Sequence, residues 1–440
     1  MPKENKPLSE SGRQNLYEEM GALIEDCCPL LEKRAIILRM MQEPTGSDEH
    51  LNRYKLLLEV HLTVLYAIIE VATVMRADLR SKQNAEKREN LKYLVFVIHE
   101  FYKSLFLGKK GKRIWDKAIE LMADSNDENL TDQLKSIEDN IQIYMKKYFT
   151  QDSKEKRDAF FVHYDENLLQ LYQTTVAVYE EELTQMTNSF LAIAAPINRL
   201  LLKILLPCDI MGQNEPLFKA SARENALRNA LKDALTQLDS NIIHFTQSLD
   251  RIMKLCRIPE LLAANESFGL NDDAINQINE AIDWCKPGVL AHFFYIDISV
   301  AMKGFLCSES RIESLWHLTR MYLIIYEAYK KLFDGDNGSL WNKYIRKPLE
   351  DESKHAIDLI IVEVAMKAIM QDKVVENIRQ GYVHIRQKKE FRLTDLMTFM
   401  ADINAVTILS KSLFFIKSLA KLLTLSKDAM NVLAKDKYII

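Results

Sequence analysis

Apolar residues recur at three- and four-residue spacing almost from one end of this 440-residue chain to the other. Leu57, Val60, His61, Val64, Leu65, Ile68 and Ile69 fall on one face of a helix that Ser47 and Asp48 can cap. Tyr93, Val97, Phe101, Leu105 and Phe106 fall on the face of a second, which follows the charged stretch NAEKREN. The same period predicts helices over 9–41 (with Pro29 as a candidate break), 113–123, 129–149, 166–205, 217–256, 272–284, 289–306, 309–333, 340–371 and 392–437. No run alternates polar and apolar residues for long enough to predict a strand. Glycine makes the same point: 12 residues in 440 is well under half the ordinary usage of about 7%, and ten prolines is also low. So few turn residues leave little room for hairpins, and neither G-x-G-x-x-G nor G-x-x-x-x-G-K-[ST] is present. The expectation is an all-α protein without a Rossmann or P-loop nucleotide site.

Charge and cysteine usage narrow the class further. With 58 basic against 62 acidic residues the net charge is −4, which argues against a basic coat for non-specific duplex binding but leaves room for a local basic cleft. The six cysteines, Cys27, Cys28, Cys208, Cys256, Cys285 and Cys307, form no C-x-x-C and have no histidine at zinc-finger spacing. They read as small buried apolar residues of a reducing compartment. The polar start MPKENKPLSESGRQ lacks the apolar core of a signal peptide, and Glu59, His61 and Glu70 interrupt the most apolar stretch, 56–75. A cytoplasmic chain with no membrane, metal or cofactor is expected.

The segment Pro207–Pro216 carries two prolines and a glycine with little periodicity, and reads as a linker between 1–206 and 217–440. Halves of such similar length invite comparison. Residues 99–119, HEFYKSLFLGKKGKRIWDKAI, align with 326–345, YEAYKKLFDGDNGSLWNKYI, with one gap before the tryptophan and ten identities in twenty positions. The identities include Glu100/Glu327, Gly108/Gly335, Gly111/Gly338 and Trp115/Trp341. Chance gives roughly one or two in twenty at ordinary residue usage, and helical patterning explains leucines but not paired glycines and tryptophans. Two duplicated helical-bundle domains packed as an intramolecular pseudo-dimer are expected. Within each block the glycine would end one helix and the tryptophan would pack back over the corner.

Downstream of each block lies an arginine followed by a histidine: Arg157 and His163 in KRDAFFVHYDEN, Arg379 and His384 in NIRQGYVHIRQ. The segment Arg157-Asp158-Ala159-Phe160-Phe161-Val162-His163 resembles the R-x(4–6)-H motif of the HEPN superfamily, with Asp158 as the polar neighbour of the arginine. The second copy departs from that pattern: Gln380 replaces the usual Asn, Asp or His, and Gly381 sits inside. Arg311 and His317 satisfy the same spacing without belonging to the repeat. The resemblance covers about 50–205 and 285–425. It implies helical domains that pair, with two Arg/His motifs sharing a cleft that acts as a metal-independent ribonuclease or binds RNA, in a defence or toxin-like role with a partner such as an antitoxin.

The chemistry is coherent on physical grounds. Cleavage next to a 2′-hydroxyl needs a base for that proton and an acid for the leaving oxygen, and histidine supplies either near neutral pH. Arg157 and Arg379 can hold the phosphate and stabilise its growing charge. The alternative from another class is a non-catalytic helical scaffold, with arginine and histidine as core or interface residues. The basic clusters Lys109, Lys110, Lys112 and Arg113, and Arg386, Lys388 and Lys389, are phosphate contacts or solvated faces. The stretch Asp334–Gly338 lacks the remaining ligands of a calcium loop, and Glu180, Glu181 and Glu182 lack the histidines of a di-iron bundle.

Overall fold

The computed structural model describes residues 9–41, 49–107, 113–123, 128–148, 180–205, 218, 222–256, 272–335, 338–370 and 393–438. The described residues are helical throughout and contain no strand. The helices are α1 (Glu10–Met40), α2 (Glu49–Arg80), α3 (Asn84–Phe106), α4 (Ile114–Ala123), α5 (Glu128–Tyr148), α6 (Glu180–Leu205), α7 (Ala222–Ala230), α8 (Ala234–Cys256), α9 (Asp272–Cys307), α10 (Arg311–Leu332), α11 (Lys347–Leu349), α12 (Ala356–Met370), α13 (Leu393–Ala401) and α14 (Ala405–Tyr438). A π-turn over Asn342–Arg346 and a 3₁₀ turn over Ser353–His355 complete them.

Caps explain several of these boundaries. Ser9 Oγ accepts the Gly12 amide at 3.1 Å and starts α1. Ser310 and Glu313 form a reciprocal capping box at the start of α10, the serine hydroxyl accepting the Glu313 amide and the glutamate accepting the Ser310 amide at 2.9 Å. Beyond α10, Gly335 takes the left-handed conformation with φ of 102°, as the sequence predicts for a helix that must stop. Its counterpart Gly108 lies outside the described residues.

The prolines act differently from expectation. Pro29 does not break α1, and Pro287 sits inside a continuous α9 where 272–284 and 289–306 are predicted as separate helices. Proline removes one helical hydrogen bond but does not end a helix whose apolar faces are packed on both sides. Conversely, turns at 231–233 and 402–404 divide the helices predicted as 217–256 and 392–437, and the stretch 340–371 is divided around 350–355.

Packing runs in the same order on both sides of the chain's midpoint. α1 lies on α2, α2 on α3 and α6, and α5 on α6; α8 lies on α9, α9 on α10 and α14, and α12 on α14. α2 and α9 are the central helices. By length and composition these two, with α6, would suffice to cross a membrane, so Glu59, His61 and Glu70 do not disqualify α2, contrary to the expectation from sequence. In α2 and α9, 94% of the most apolar window is buried inside the protein, so their apolarity is accounted for by the core, whereas in α6 only 39% is buried. A single apolar cluster spans both halves, from Ile24 and Leu65 to Phe305 and Leu419. Each corner places a buried tryptophan against the phenylalanine that closes the preceding helix: Trp115 on Phe106 at 5.7 Å and Trp341 on Phe333 at 5.1 Å between ring centroids.

Candidate functional site

The sequence-predicted residues Arg157, Asp158, His163, Arg379 and His384 lie outside the described residues, as do Lys109, Lys110, Lys112, Arg386, Lys388 and Lys389. Three cheaper candidates can be placed. Arg113 is turned inward and held by Asp116 at 2.8 Å and Glu138 at 3.0 Å. Arg311 is bound to Glu224 and to the Ile403 carbonyl, while His317 is fully buried. The third Arg/His spacing is therefore a core feature.

What the described residues do bring together is a buried polar seam between α2–α3 and α9–α10. The offset of the repeat, Glu327 less Glu100 or 227 positions, also carries Arg80, the last residue of α2, onto Cys307, the last of α9, and Asn84, the first of α3, onto Arg311, the first of α10. The two corners use the same bonds. Ser81 Oγ donates to the Ala77 carbonyl at 2.8 Å, and Ser308 Oγ donates to the Gly304 carbonyl at 2.9 Å. The Lys82 amide donates to Glu86 at 3.2 Å, and the Glu309 amide donates to Glu313 at 2.9 Å.

These glutamates then cross over. Glu313 accepts Arg76 Nη1 at 2.8 Å from the opposite half, and Glu86 accepts Lys303 Nζ at 2.5 Å. Arg76 and Lys303 are themselves 227 apart. Glu70 and Asp297, another such pair, accept Trp316 Nε1 at 2.9 Å and Lys92 Nζ at 2.9 Å, again across the seam. Two further pairs touch their own counterparts: Arg80 donates to the Cys307 carbonyl, and the Arg320 guanidinium lies 3.6 Å over the Tyr93 ring.

Burial sets the protonation of these groups. Burial and the Asp297 carboxylate push Glu89 up to about 8, so at neutral pH it is a protonated partner of Asp297. Burial opposes the charge on Lys92, but the Asp297 carboxylate at 2.9 Å outweighs it and holds the ammonium. Burial, then the nearby Arg320 and Arg80 cations, drive His317 well below its ordinary range, so the ring is neutral; neither ring nitrogen has a hydrogen-bond partner. Arg76, which burial would discharge, stays cationic because of Glu313 and Glu309.

Between the two corners lies a cavity of about 20 Å³, lined by Arg80, Ser81, Glu86, Asn90, Lys303 and Gly304 among others. That volume accommodates one water molecule and no organic substrate. Among the described residues no cluster of His, Cys, Asp and Glu could hold a metal ion. The seam therefore ties α2 and α3 to α9 and α10, and its acid–base groups are either paired or sealed. Sequence reasoning passed it over because its residues sit singly on helix faces. The signal that could have found it was the 227-residue offset, carried backwards from Glu100 and Glu327 to the charged residues Arg76, Glu86, Lys303 and Glu313. Comparison with protein-family models, curated proteins and solved structures finds no match.

Proposed function

We propose that the chain is a tandem duplication folded as an intramolecular pseudo-dimer, and that it serves as a non-catalytic helical scaffold for protein interaction. The crossed ion pairs Arg76–Glu313 and Lys303–Glu86 carry the pairing: the equivalent cations Arg76 and Lys303 each meet the equivalent glutamate of the opposite half, in the reciprocal pattern of an isologous interface. The scaffold reading draws on the closure of the seam and on the outer face of α12. There Ile357, Ile360 and Val364 remain 71%, 61% and 60% exposed, a stripe of the kind that marks protein contact rather than a substrate cleft.

The pairing itself also favours a second reading, because the HEPN resemblance implies two Arg/His motifs brought together by paired domains. In that reading His163 and His384 exchange protons at the 2′-hydroxyl and the leaving oxygen while Arg157 and Arg379 hold the phosphate, Asp158 orienting the first arginine.

One preparation separates these. A protease site placed within 207–216 and cleaved in the folded protein should leave the two halves eluting together near 51 kDa; separation under native conditions would overturn the pseudo-dimer. The same full-length protein, incubated with a mixed RNA pool and chelator, should leave the RNA intact. Chelator-resistant cleavage that His163→Ala abolishes, with an unchanged melting temperature, would replace the scaffold with a metal-independent nuclease.

A further inference from the structure

α8 and α9 form an antiparallel pair whose register is fixed by three contacts. Asp239 meets Lys303 at 2.5 Å, Phe245 stacks on Tyr295 at 3.7 Å between centroids, and Ser248 meets His292 at 2.9 Å. Counted from Cys256 back along α8 and from Cys285 forward along α9, these contacts fall at 17 and 18, 11 and 10, and 8 and 7 residues. Every step back on one helix is thus matched by a step forward on the other, and the register runs out with Cys256 opposite Cys285. The Cys285 thiol donates to the Ala281 carbonyl at 3.4 Å, one turn back along α9. Cys256 is 5% exposed at the end of the core face made by Leu249 and Met253, and Cys285 packs half-buried against the same core. Both cysteines are reduced in this structure.

We propose that Cys256 and Cys285 are a redox pair that hydrogen peroxide converts to a disulfide, stapling α8 to α9. The neighbouring Cys285 favours the thiolate of Cys256, against the opposing effect of burial, while the Ala281 carbonyl holds the proton of Cys285, so Cys256 is the nucleophile. Its sulfur attacks one peroxide oxygen, the O–O bond breaks, hydroxide leaves and takes up a proton, and Cys256 becomes a sulfenic acid. Cys285 then attacks that sulfur, the S–O bond breaks, and the thiol proton leaves with the hydroxyl as a second water. Two thiols are oxidised by two electrons and one peroxide is reduced to two waters. Peroxide is small enough to reach a site that a bulky disulfide reagent would not enter. The resulting bridge closes the chain across residues 257–284 and restrains the unfolded state more than the folded one.

The test uses the full-length wild-type chain, treated with a few equivalents of hydrogen peroxide, quenched, denatured and alkylated. Mass spectrometry should find a Cys256–Cys285 cross-linked peptide and a mass loss of about two daltons that dithiothreitol reverses, with Cys27, Cys28, Cys208 and Cys307 alkylated. The oxidised protein should melt several degrees higher than the reduced one and return on reduction. The same treatment in denaturant should scatter the cross-links among cysteines. Free alkylation of both thiols in the folded protein, or equal yields of this bridge folded and unfolded, would overturn the proposal. Cys285→Ser gives a second reading, since it should leave a dimedone-reactive sulfenic acid on Cys256.

Discussion

At the scale of single residues, the seam depends on one absent side chain. A methyl group on Gly304 would fall inside the His317 imidazole, which lies directly against the α9 backbone there. Glycine in a helix interior costs about 1 kcal/mol relative to alanine, so the position is held for the contact and not for the helix. Ala77, which occupies the corresponding place in α2, faces no such ring and keeps its methyl. Gly304→Ala should therefore destabilise the protein by about 1–3 kcal/mol despite its better helix propensity, through overpacking. Denaturant unfolding of the variant measures this. A gain in stability would mean that the ring has room to move and that the close packing of His317 is incidental.

At the scale of helices, the crossed ion pairs set how the two central hairpins meet. Removing one partner of a buried pair costs about 3–5 kcal/mol because the other charge is stranded, while replacing both by apolar residues is often neutral. Glu313→Gln strands Arg76, though Glu309 still holds it, so the loss should fall near the lower end of that range. Arg76→Met combined with Glu313→Leu should recover most of it. A thermodynamic cycle over wild type, Arg76→Met, Glu313→Leu and the double variant, measured by urea unfolding, should show coupling well above the 0.2–1 kcal/mol of an exposed pair. Additive effects would mean that the two side chains are not interacting partners. This seam also marks the limit of sequence reading. The helices were legible because periodicity is local, and so were the corners, because glycine and tryptophan are rare enough for their recurrence to be visible. Arg76, Glu86, Lys303 and Glu313 carry no local signal: a charge on a helix face ordinarily means solvent, and only the opposing half turns these inward. The prolines misled for the same reason in reverse, since Pro287 reads locally as a helix break but sits in a helix packed between α8, α10 and α14.

At the scale of the whole molecule, the sealed groups give stability a pH dependence whose sign can be worked out. His317 is held neutral well below its ordinary 6.5, so on acidification the unfolded chain takes up a proton that the folded one refuses, and stability falls below about pH 6.5. Glu89 works the other way. Its carboxyl ionises near 4.5 when unfolded and about 8 when folded, so between those values the folded state keeps a proton that the unfolded state has lost. Stability from this group is full below pH 4.5 and declines as pH rises towards 8, by at most about 1.4 kcal/mol per unit. Between 4.5 and 6.5 the two groups oppose each other; above 6.5 only Glu89 acts. Glu89→Gln isolates it, because an amide keeps the shape of the protonated carboxyl, donates to Asp297 as that carboxyl does, and still accepts from Lys92 Nζ, now 3.2 Å from Glu89. The stability of Glu89→Gln relative to wild type should be near zero at pH 5 and grow in the variant's favour up to pH 8, then level off. Urea melts at half-unit steps from pH 5 to 9 measure that difference directly. A difference that does not change with pH would mean that Glu89 is ionised in the folded protein. The Lys92–Asp297 contact across the seam would then be flanked by a second negative charge rather than by a shared proton.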